Sequence, residues 1–197
     1  APGRAAADPE QDEWLFLRSV PGGFRQVFQL LAEPLAKLYP GDLRKHGVNR
    51  ANRVLSDHPV RRLAEALALD FGVGPFELYA VPQATSVLCV ENTSPPAILV
   101  GAELIREASE DELRFLLARV LWLISKSMVL PAALTPAELE ILVAGVVQQY
   151  NPDFLPAGAD PRQVEVARRQ VDKAMPRRLR QELMPFALEC SGPDVDL

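Results

Sequence analysis

Residues 110–126 read EDELRFLLARVLWLISK, and the fold turns on how this stretch is taken. Ser109 stands just before it and can cap a helix, while Glu110, Asp111 and Glu112 oppose the positive end of the helix dipole. Leu113, Phe115, Leu116, Leu117, Val120, Leu121, Trp122, Leu123 and Ile124 then cover nearly the whole circumference, so the spacing predicts a central helix buried on every side. A helix of that kind needs neighbours on all sides, and the flanking sequence supplies both helices and strands.

Upstream, GFRQVFQLLAEPLAKLY places Phe24, Val27, Phe28, Leu31, Leu35 and Leu38 at helical spacing, with Pro34 expected to kink the helix. The turn-rich, basic PGDLRKHGVNRANRVLSDHP carries Arg44, Lys45, Arg50 and Arg53 and reads as a solvated face. Ser56 or Asp57 is expected to cap the next helix, PVRRLAEALALDFGV, whose buried stripe is Val60, Leu63, Ala64, Leu67 and Phe71 and whose end is marked by Gly72 and Gly74. After Pro75 the period shortens, and FELYAV, SVLCVE and AILVG predict three strands of a small, mostly antiparallel sheet.

Downstream of the opening stretch, VLPAAL reads as a loop. Thr135 and Pro136 start a helix through AELEILVAGVVQQY, and NPDFLPAGADP breaks the chain before two last helices, PRQVEVARRQVDKAM and PRRLRQELMPFAL. The fold class is therefore α+β, mainly helical with a three-stranded sheet. A linker is expected over residues 1–13, rich in Ala, Pro, Gly and Asp, and a single domain over 14–197, the whole a segment of a longer protein.

Composition narrows the function classes. The chain has 197 residues, 48% hydrophobic and 24% charged, enough for a sizeable core. A net charge of −5 argues against a general nucleic-acid binder, which shows a basic footprint. Cys89 and Cys190 belong to no CxxC or Cys/His cluster and read as packed free thiols. No apolar run is long enough to span a membrane, so a soluble, cytoplasmic chain is expected.

The order strand, hairpin, strand, short helix and acid-capped apolar helix in FELYAVPQATSVLCVENTSPPAILVGAELIREASEDELRFLLARVLWLIS resembles the core of zinc metallopeptidases of the HtpX and CAAX-prenyl-protease type, the gluzincins. The likeness covers roughly residues 76–127 and rests on pattern more than identity. In that family the apolar helix carries His-Glu-x-x-His, and the resemblance implies a zincin-like core around it. Here the first histidine corresponds to Arg119, the glutamate to Val120 and the second histidine to Leu123. A guanidinium cannot ligate zinc, and valine and leucine offer neither lone pair nor base. The family's third ligand, a downstream glutamate, has its nearest counterpart in Glu165, with Arg168 and Arg169 where an acid is expected; otherwise it lies beyond Leu197.

No replacement chemistry is visible. His46 and His58 stand at no ligand spacing, the serines lack a G-x-S-x-G context, and GVGPFE leads into a strand rather than a helix. The resemblance thus implies a degenerate, non-catalytic peptidase-like domain with no zinc and no other cofactor, serving as an interaction or scaffold module for a protein partner. An enzyme whose metal site is completed outside this chain is the alternative. An edge strand at Thr85, Ser86, Val87 and Leu88 is a candidate peptide-binding edge. Arg168, Arg169, Lys173, Arg177, Arg178 and Arg180 form a candidate basic patch for an acidic partner. Arg119 itself either pairs with an acid, Glu138, Glu140 or Glu165, or lies on an exposed strip with Lys126.

Overall fold

A computed structural model describes residues 22–82 and 87–191. The expected linker over 1–13 and two of the proposed edge residues, Thr85 and Ser86, lie outside them. The architecture is α+β and mainly helical. Where one domain over 14–197 is expected, the chain divides into two compact units: Leu35–Ala133, and the described residues of Ala1–Pro34 with Leu134–Leu197. The boundary falls inside helix α1 (Gly22–Leu38), which runs through Pro34.

The unit Leu35–Ala133 is built on a three-stranded sheet. β1 (Glu77–Val81) pairs in parallel with β3 (Ala97–Gly101), and β2 (Leu88–Glu91) pairs antiparallel on the other side of β3. The sheet is thus mixed, in the order β1-β3-β2, with β3 in the middle. The unbroken apolar run AILVG explains that position: all five residues are buried, as a central strand covered on both faces requires. Outside β1, Arg53 bridges to Tyr79 and the Val54 amide donates to the Leu78 carbonyl at 2.8 Å, so that edge is partly covered.

Helix α2 (Pro59–Asp70) and helix α4 (Glu110–Ser125) pack on one face of the sheet, where Leu78, Ile98 and Val100 meet Ala64, Leu117 and Leu121. Leu99 and Val81 on the other face meet Val48. The cap of α2 is His58, not Ser56 or Asp57. Pro59 occupies the first helical position and holds its predecessor extended, and His58 Nδ1 accepts from the Val60 amide at 3.2 Å. Gly72, at φ 65°, ends the helix as expected, in a conformation that L side chains rarely adopt.

Helix α3 (Ala102–Glu107) leads from β3 into α4, whose start is as predicted. The Ser109 hydroxyl accepts from the Glu112 amide, and the Glu112 carboxylate accepts from the Ser109 amide at 2.8 Å. The expectation that α4 is buried on every side is overturned. Only Leu113, Leu117, Val120 and Leu121 are buried, Arg119 is exposed, and Phe115 is 70% exposed. Residues 114, 115 and 119 lie off the stripe that the sheet covers, so the helix packs on one side. VLPAAL, expected as a loop, contains the short helix α5 (Val129–Ala133), with Pro131 in its first turn, where no intrahelical N–H is needed.

In the other unit, α6 (Pro136–Val147) is buried all round in its second half, where every residue from Leu142 to Val147 is buried, while its first turn is exposed. A Thr135–Glu138 capping box starts it. α6 packs along α7 (Pro161–Ala174) through Gly145, and the Gln149 side chain donates to the Gly145 and Arg168 carbonyls at 3.2 and 2.8 Å. α8 (Arg177–Glu189) completes the unit, with the Tyr150 hydroxyl donating to the Arg180 carbonyl at 2.7 Å. Among the described residues, no helix is long and apolar enough to cross a membrane.

Candidate functional site

The free edge of β2 is the starting point, because the ladder decides which of its groups face outward. The Gly101 amide donates to the Val87 carbonyl at 2.7 Å, and Val87 and Gly101 stand opposite in the register that pairs Leu88 with Val100. In an antiparallel ladder the bonded pairs alternate, so Cys89 and Glu91 also bond β3, and the N–H and C=O groups of Leu88 and Val90 point away from it. Beyond Val90 the outer side is taken: the Gly41 amide donates to the Asn92 carbonyl at 2.8 Å. Gly41 is needed there, since a Cβ would lie 2.8 Å from the Asn92 nitrogen. Among the described residues, the outward backbone groups of Leu88 and Val90 have no such partner.

Beside this edge runs a groove of about 340 Å³. Its apolar wall is Leu116, Val120 and Leu123 of α4 with Val129 of α5, and its polar groups are His46, Glu91 and Arg119. Glu91 anchors one end. Its carboxylate lies 2.7 Å from His46 Nε2 and accepts from the Asp42 amide at 3.2 Å, tying the first 3₁₀ turn (Leu43–His46) to the strand. The Asn92 side chain adds a bond to the Tyr39 carbonyl at 2.9 Å. Burial, and the Glu91 charge second, push the Cys89 thiol above its usual range, so it is a poor nucleophile there.

The three positions that the resemblance sets against the His-Glu-x-x-His motif all reach this groove. Arg119, Val120 and Leu123 line it: the first exposed, the second buried, the third half-buried. None of the three can ligate a metal. Among the described residues, no three of His, Cys, Asp or Glu are grouped so that they could hold a metal ion. Of the edge residues named from sequence, Val87 is exposed and Leu88 half-buried at the groove. Leu116 and the His46–Glu91 pair were not foreseen. His46 and Glu91 are 45 residues apart, and nothing local marks them as partners.

The acids proposed for Arg119 are otherwise engaged in two cases. The Glu138 carboxylate accepts from the Thr135 hydroxyl at 2.7 Å, and Glu165 takes both Arg168 and Arg169 at 2.6 Å. Arg119 is exposed on α4, as the exposed-strip reading has it, whereas Lys126, expected on the same strip, is half-buried. The basic patch is interleaved with acids: besides the two arginines on Glu165, Arg178 pairs with Glu182 and Arg180 with Asp172. Those contacts neutralise much of the field that Lys173 and Arg177 would otherwise extend. The two guanidiniums hold the Glu165 carboxyl at about 2. Comparisons of the chain with protein-family models, with curated proteins and with solved structures return no match.

Proposed function

We propose that the chain is a non-catalytic, metallopeptidase-like interaction module that takes an extended segment of a partner protein along the outer edge of β2. The observation that carries this reading is the pairing of outward Leu88 and Val90 backbone groups with an apolar groove beside the same edge. Strand addition needs both: main-chain bonds hold the segment, and a groove takes its alternate side chains. The reading is favoured further by the placement of Arg119, Val120 and Leu123, because a peptidase lays its substrate along an edge strand beside its motif helix. With these residue types in place, the groove retains a means of binding and none of cleaving.

The test separates the backbone donor from the side chain above it. Leu88→Pro removes an N–H that the β3 ladder does not use, at the start of an edge strand where proline is tolerated. Leu88→Ala trims the same side chain and keeps the donor. Against a library of extended peptides, Leu88→Pro is expected to lose roughly tenfold more affinity than Leu88→Ala, the worth of one hydrogen bond. Equal loss in the two variants removes the strand-addition reading.

A further inference from the structure

A second surface adjoins the groove. α3 starts at Ala102, directly after the Gly101 that bonds Val87, so α3 departs from the Leu88 end of β2. Between α3 and the first turns of α4 lies a depression of about 480 Å³. Leu104, Phe115 and Leu116 give it apolar walls, and Glu103, Glu107 and Glu112 surround them. Leu116 lines this depression and the β2 groove alike, so the two adjoin at that side chain. Phe115 is the feature without a structural role: it is 70% exposed although an aromatic ring is costly to leave in water. The carboxylates around it are weakly compensated. Among the described residues Glu107 has only Arg106 at 3.8 Å, and Glu112, held below the usual carboxylate range by its bonds to Ser109, stays charged while capping the helix.

We infer that the segment docked on β2 is basic at its C-terminal continuation, with an apolar side chain between cationic ones that settles on Phe115. This rests on the reading of the β2 edge as a peptide site. Antiparallel addition is the more stable pairing, and a strand antiparallel to β2 enters beside Glu91 and leaves past Leu88. It therefore passes onto the Phe115 surface at its C-terminal end. Three carboxylates around an exposed aromatic ring complement lysine or arginine by charge and by the ring's negative face. An acidic or purely apolar continuation would add no cation to those carboxylates.

Three synthetic peptides test this by calorimetry and amide shifts. Each carries the same alternating Val-Thr stretch, followed by Arg-Leu-Arg, followed by Glu-Leu-Glu, or preceded by Arg-Leu-Arg. The first is expected to bind roughly tenfold tighter than the other two, a preference that shrinks with salt and disappears in a Glu103→Gln/Glu107→Gln protein. All three are expected to move the Leu88 and Val90 amides. Equal affinities with those amides moving overturn the basic preference and leave the β2 reading standing. A preference for the first peptide with shifts at Phe115 alone overturns the β2 reading. Tighter binding of the third overturns the antiparallel direction. Binding by none of them overturns both, and self-association that moves the Phe115 ring signals without peptide places a second copy there instead.

Discussion

Gly145→Ala sets two physical effects of opposite sign against each other, and the structure decides between them. In a helix interior alanine is favoured over glycine by about 0.8–1.0 kcal/mol, so propensity alone predicts a more stable protein. The added methyl, however, would lie 2.8 Å from the Arg168 nitrogen and 2.9 Å from the Ala167 carbonyl carbon and Cβ. Two of those atoms are backbone and cannot rotate away, so α6 and α7 must separate. Overpacking of a close contact costs about 1–3 kcal/mol. Separation also stretches the 2.8 Å bond from Gln149 to the Arg168 carbonyl, a further loss of about 1 kcal/mol. The net expectation is destabilisation by about 1–3 kcal/mol. Urea unfolding followed by circular dichroism measures it, with an unchanged slope marking a true stability change. Gly74→Ala is the control, since nothing lies within 4 Å of its Cβ position. Unchanged or raised stability in Gly145→Ala would refute the close approach of the two helices.

Arg119→Met is expected to change stability by no more than about 0.5 kcal/mol, as for an exposed side chain away from special features; a loss of several kcal/mol in the same urea assay would require a buried ion pair there. Glu165 has a folded-state pKa depressed from 4.5 to about 2, so its contribution is present above its unfolded value and is lost as pH falls through that window. The acid limb of a melting-temperature profile should flatten between those values in Glu165→Gln, and an unaltered limb would show that the arginine pairs do not persist in solution. Burial raises the Cys190 thiol to about 11, so a thiol reagent at neutral pH should label it only on unfolding, with Cys89 reacting first. Rapid labelling of Cys190 in the native protein would contradict its placement.

Features that depend on neighbours along the chain were legible in the sequence. Ser109 with Glu112, and Thr135 with Pro136, mark helix starts because a cap is a matter of three or four residues. Gly72 marks an end for the same reason. Features decided across the fold were not legible. α4 reads as apolar nearly all round, yet Glu110, Arg114 and Arg119 give it a solvated side, which spacing alone does not reveal. The parallel β1–β3 pairing follows from where β3 inserts, which strand composition does not specify. The same division runs through the candidate site. Leu88, Arg119, Val120 and Leu123 were named in advance. His46 and Glu91 meet across 45 residues of chain, and the outward phase of Val90 is read from a single bond from Gly101 to Val87.

Amide hydrogen exchange with and without a bound extended peptide tests strand addition on β2 most directly, because the ladder predicts an alternating response. Leu88 and Val90 should slow on binding, as their outward N–H groups gain partners, while Cys89 and Glu91, already bonded to β3, should hold their rates. Slowing confined to other elements, or uniform along β2, would contradict the account.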